Sequence, residues 1–175
     1  AIASDKDTSS DRDKLAIDRE TLLNNVNPER HEVVFVDTTI PNYQALLEGI
    51  DTKIKVVLLE PTRDGIDQIA DYLDTQNGLD AIHILSHGAA GRLILLGQAY
   101  TADRLADQYS MDLARIGRAL TDQGDILLYG CEIGKGTAGE AFLNKVADMT
   151  GADIAASIDK TGATDLGGDW ILEMH

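Results

Sequence analysis

The fold class predicted by this sequence is α/β: a three-layer sandwich with a mostly parallel sheet and helices on both faces. Three observations predict it. From Glu32 onward, short β-branched apolar runs alternate with longer amphipathic segments, the rhythm of strand-helix-strand units. Runs such as Val33-Val34-Phe35-Val36 are apolar at consecutive rather than alternate positions, so both faces of each strand must be covered, as in a parallel sheet. Finally, 175 residues of which 43% are hydrophobic make one domain with material for a core.

Each element follows from local pattern. Residues 1–31 are polar and dense in Asp, Ser, Lys and Arg, and read as a linker or propeptide-like segment with one short helix over 18–25. The α/β domain is expected to span 32–175. Strands are expected at 33–37, 54–59, 81–86, 126–129, 154–157 and 170–172. A helix over 42–49 has Pro41 in a first-turn position, where its missing N–H is harmless. A second, over 64–73, repeats Ile66, Ile69, Ala70 and Leu73 at helical spacing. A third is expected from 102 to 120 and a fourth over 137–149, ending before Gly151. The stretch 92–100, with Gly97 in its middle, reads as a hairpin inserted after the third strand. The chain runs from Ala1 to His175, just past a strand-like Trp170-Ile171-Leu172, and is read as a domain of a larger protein.

Charge narrows the partners. With 15 Lys and Arg against 30 Asp and Glu, the formal charge is −15, a field that repels phosphate backbones and anionic headgroups. Nucleic acid is therefore excluded as a partner, as is membrane insertion, since no run approaches the roughly 20 apolar residues a span needs. Basic peptides and cations are what such a surface attracts. Asp5, Asp7, Asp11 and Asp13, and again Asp159, Asp165 and Asp169, supply hard oxygen ligands suited to calcium, without the spaced loop of an EF-hand. A single Cys rules out a disulfide framework.

In parallel sheets chemistry gathers at the carboxyl ends of strands, so the residues after each strand are the ones to inspect. Two loops stand out: Ser86-His87-Gly88 after the third strand and Tyr129-Gly130-Cys131-Glu132-Ile133-Gly134 after the fourth. If those strands are neighbours, His87 and Cys131 face each other at on the order of 5 Å. A thiolate is the attacking form of cysteine, and an adjacent imidazole takes its proton or holds it electrostatically. The amides of Gly88 and Cys131 are candidate oxyanion donors. His83, about 13 Å up the same strand at strand rise, cannot share a metal with His87 and reads as a core histidine. The run Gly130 to Thr137 superficially resembles a phosphate loop, but it has three residues rather than four before its Gly-Lys pair and Gly136 in place of Ser or Thr after the Lys. There is no Gly-x-Ser-x-Gly elbow.

A strand ending in His87-Gly88 and another ending in Gly130-Cys131 resemble the paired motifs of the caspase-like cysteine peptidases. More closely, Val33-Val34-Phe35-Val36-Asp37, Asp80-Ala81-Ile82-His83-Ile84-Leu85-Ser86-His87-Gly88, Asp125-Ile126-Leu127-Leu128-Tyr129-Gly130-Cys131 and Leu166-Gly167-Gly168-Asp169-Trp170 are similar to the bacterial domain DUF4347. The resemblance implies Cys131 as nucleophile, His87 as general acid/base, and the Gly88 and Cys131 amides as oxyanion donors, with no cofactor required. It implies a polypeptide substrate, including the parent chain, and a place in a large secreted or surface protein of a bacterium. Asp37 and Asp159 fall where specificity pockets lie in that group and would select Arg or Lys, with Arg19, Arg30 and Lys160 as internal candidate sites. The chain departs from the caspase signature Gln-Ala-Cys-x-Gly, and Glu132 would raise the thiol's pKa if the two side chains met. Two other readings remain: a catalytically silent interaction or secretion-related module of a large adhesin, and a flavodoxin-like ligand-binding module.

Overall fold

The computed structural model describes residues 22–23 and 25–156. Its spine is a five-stranded parallel sheet in the order β2-β1-β3-β7-β8. The strands are β1 (Glu32–Asp37), β2 (Lys55–Leu59), β3 (Leu79–Leu85), β7 (Leu120–Tyr129) and β8 (Asp153–Ala156). A second, three-stranded antiparallel sheet, β4 (His87–Ala89), β5 (Arg92–Leu95) and β6 (Gln98–Thr101), follows β3 directly. The helices are α1 (Tyr43–Leu47), α2 (Gly65–Leu73), α3 (Ala102–Gln108), α4 (Ser110–Arg118) and α5 (Gly136–Thr150).

Alternation along the strands divides the core in two. Val33, Phe35, Ile82, Ile84, Ile126, Leu128 and Ile154 face α2, α4, α5 and the small sheet in the larger core. Val34, Val36, Leu85, Tyr129 and Ala155 face the other way, onto Leu22, Ile40 and Leu46, in the smaller one. This is the predicted three-layer α/β sandwich, and the doubly covered strands are why their runs are apolar throughout. Leu22, fully buried, shows that packing begins before residue 32.

Local chemistry sets the helix starts. Asp64 caps α2 by accepting from the Asp67 amide at 3.0 Å, and Thr101 caps α3 by accepting from Arg104 at 3.2 Å. Two expectations are corrected. The single helix expected over 102–120 is two, broken at Tyr109, whose hydroxyl reaches the Asp64 carboxylate at 2.5 Å while its ring packs edge-on to Tyr100. Strand β7 begins at Leu120 rather than at 126, and its polar entry contains Gly124, where a Cβ would lie 2.8 Å from the Leu120 side chain. The 92–100 hairpin is present as β5–β6, extended by β4. The strand expected over 170–172 lies outside the described residues, as do Ser157, Asp159, Lys160, Arg19 and both candidate calcium clusters.

Candidate active site

β3 and β7 are parallel neighbours with Leu85 opposite Tyr129, and the Ser86 amide still reaches the Tyr129 carbonyl at 3.4 Å. Two further steps of the same register, continued past the strand ends, would set His87 opposite Cys131. The loops touch: a Cβ on Gly130 would lie 2.7 Å from the His87 carbonyl oxygen, and one on Gly88 would lie 3.0 Å from the Cys131 carbonyl oxygen. Only glycine at both positions permits this approach.

Each loop is held from outside. His87 opens β4 and pairs with Ile94, Gly88 with Leu93. The Gly91 amide, in the turn between β4 and β5, donates to the Ile133 carbonyl at 3.0 Å, fastening that turn to the cysteine loop. Ile133 itself is fully buried beneath both glycines. His87 and Cys131 are both half-buried. Glu132 follows the cysteine in a left-handed conformation (φ 59°), and Lys135 meets its carboxylate at 2.7 Å. The acid next to Cys131 thus carries its own counter-charge.

The acid expected in a specificity pocket is placed otherwise. Asp37 is fully buried, its Oδ1 accepting from the Thr39 amide at 2.8 Å and the Thr39 hydroxyl at 2.6 Å, its Oδ2 from the Leu96 amide at 2.9 Å. With both oxygens engaged and no exposed surface, it offers nothing to a substrate cation. Arg30, an expected internal cleavage site, donates through its guanidinium to the Asp80 carbonyl at 3.0 Å and lies 3.6 Å from Glu32, at the amino ends of the strands. The length of β1, about 20 Å at strand rise, separates it from the end where Cys131 lies.

His83 is the core histidine the sequence predicts. One ring nitrogen faces the Tyr129 hydroxyl and the other the Glu32 carboxylate, each at 2.8 Å, and all three residues are buried. Burial, and secondarily the charge of Glu32, pushes the Tyr129 phenol far above its ordinary pKa. Sequence reasoning missed Glu32 and Tyr129 as partners of this histidine. The available signal was an acid at the head of an apolar strand one period away from Val34, the residue that pairs with His83. Among the described residues no group of three or more His, Cys, Asp or Glu is arranged to hold a metal ion. No helix among them is long and apolar enough to cross a membrane.

Fold and site together define an α/β domain whose His-Gly and Gly-Cys loops meet at adjacent ends of a parallel sheet. The chain belongs to the family described as a domain of unknown function (DUF4347), which it matches over residues 33–175. Among solved structures it is similar to the crystal structure of the protein lin1944 from Listeria innocua, at 19% sequence identity and a TM-score of 0.38, over 71% of this chain and 75% of that one. No curated protein matches it.

Proposed function

We propose that the domain is a cysteine endopeptidase or self-processing module, resembling the caspase-like peptidases, that acts on polypeptide within a larger secreted or surface protein of a bacterium. The observation that carries this reading is the backbone contact between the His87 and Cys131 loops. In the proposed reaction the Cys131 thiolate adds to the scissile carbonyl, and the Gly88 and Cys131 amides receive the oxyanion. His87 protonates the departing amine, and then draws a proton from the water that releases the acyl group. No cofactor enters these steps; calcium, if bound, would act on the acidic segments rather than on the chemistry. Preference for Arg or Lys rests on Asp159 and on the charge of −15, since Asp37 is withdrawn. Cleavage after Arg30 requires a second molecule, because a chain's own Cys131 lies at the other end of the sheet.

Mass spectrometry of the purified domain, incubated beside its Cys131→Ala form and with peptides ending in Arg, Asp or Leu, tests the proposal. Thiol-dependent cleavage, fastest after Arg, is expected. An intact parent whose thiol resists alkylation at neutral pH would overturn it in favour of a silent interaction module.

A further inference from the structure

We infer that Asp37 is a positioning residue for His87, acting through the β5–β6 turn; the inference rests on the peptidase reading above and assigns Asp37 a role other than substrate recognition. The turn is a two-residue connection, Leu96-Gly97, with both residues at positive φ (54° and 80°). That geometry suits Asn-Gly or Gly-Gly, and a bulky leucine occupies it only when its surroundings impose it. Two surroundings do. The Leu95 side chain lies against the start of α2, where a Cβ on Gly65 would be 2.5 Å from Leu95 Cδ2. The Leu96 amide is received by Asp37 Oδ2 at 2.9 Å.

The second contact explains why a carboxylate is buried at this strand end. Asp37 takes three hydrogen bonds from three neutral donors, using both oxygens. Only a carboxylate presents two acceptor atoms there; an asparagine of the same shape would set its own N–H₂ against the Leu96 N–H or against the Thr39 donors. From Leu96 the connection to the candidate site is short. Ile94, two residues back along β5, is the partner of His87 in the small sheet. On its other side the His87 carbonyl lies against Gly130, next to Cys131. His87 is therefore held between a strand whose end Asp37 fixes and the loop that carries the thiol.

The test compares the parent with Asp37→Asn and, should that variant fail to melt cooperatively, with Thr39→Val, which removes the hydroxyl bond that fixes the Asp37 carboxylate and so loosens its hold on Leu96 without deleting that bond. The readouts are Leu96 amide exchange, the NMR resonances and titration of the His87 ring, the pH profile of Cys131 alkylation, and kcat and KM for peptides ending in Arg or Leu. For Asp37→Asn the expected result is at least tenfold faster Leu96 exchange, shifted His87 resonances, and a tenfold or greater fall in kcat at unchanged KM and unchanged preference. Thr39→Val should give the same pattern at two- to threefold. Unmoved His87 resonances and an unmoved alkylation profile in a folded variant would reduce Asp37 to a structural residue and overturn the inference. Loss of Arg preference with kcat retained would overturn it by returning Asp37 to substrate binding. Should the parent lack turnover, the peptidase reading fails alone, because exchange at Leu96 and the His87 resonances still decide the role of Asp37.

Discussion

Strand β1 carries a buried carboxylate at each end, and the two are satisfied in opposite ways. Glu32, at the amino end, faces a titratable ring in His83 at 2.8 Å and a guanidinium in Arg30 at 3.6 Å, while its Oε2 has no hydrogen-bond partner among the described residues. Asp37, at the carboxyl end, is received wholly by neutral donors. The first arrangement combines an imidazole, a guanidinium and the Asn27 amide at 3.0 Å around one carboxylate; the second consists of two backbone amides and one hydroxyl. Within one strand, the end remote from the cysteine carries a carboxylate with one oxygen lacking a hydrogen-bond partner among the described residues, and the end beside the candidate site carries one with both oxygens bonded.

The largest effect that would sharpen this contrast is expected from Glu32→Ala. Removing the acid leaves the His83 ring nitrogen and the Asn27 amide without their acceptor, and each buried polar group left unpaired costs about 1–3 kcal/mol. Urea unfolding should show that loss, and a change below about 1 kcal/mol would mean the cluster is not a coupled unit.

A smaller effect is expected at alkaline pH. Tyr129 and Tyr100 both have phenols displaced well above their ordinary pKa of 10, chiefly by burial. The folded state keeps these protons where the unfolded chain releases them, so their contribution is intact below pH 10. It is lost as pH rises from there toward the folded-state values, at about 1.4 kcal/mol per pH unit for a fully buried phenol. Thermal melts between pH 8 and 11 should fall steeply above 10, and more shallowly in Tyr129→Phe. A Tyr129→Phe slope equal to the parent's would show that this phenol ionises freely in the fold.

The smallest effect is expected from Ser86→Ala. Ser86, immediately after β3, is fully buried, yet its hydroxyl has no hydrogen-bond partner among the described residues. Deleting a hydroxyl that makes no bond should change stability by no more than about 0.5 kcal/mol, with stabilisation the favoured sign. A loss of 1 kcal/mol or more would reveal a polar contact that Ser86 shares with its surroundings.

How far the sequence was legible follows from these same residues. The central strands were readable because Val33 to Val36 and Ile126 to Leu128 are apolar on both faces, a pattern with few alternatives. The early start of β7 was not, because Thr121 to Asp125 have the composition of a turn, and the pairing with β3 breaks register between Leu120 and Asp125. The break at Tyr109 was hidden for another reason: no Gly or Pro marks it, and the contact made there, a hydroxyl donating to Asp64, joins distant parts of the chain. In the candidate site, His87 and Cys131 could be proposed from strand-end position. Asp37 could be placed but not interpreted, since an acid aimed at a substrate and an acid aimed at a backbone amide look alike in a sequence.

The two glycines at the meeting of the loops have a practical consequence. The separation of His87 from Cys131 is set by atoms that Gly88 and Gly130 lack, with Ile133 filling the space beneath. A methyl group added at either glycine would drive into the Ile133 side chain and the facing carbonyl oxygen, so the packing beneath the two loops answers to a change that adds no polar group.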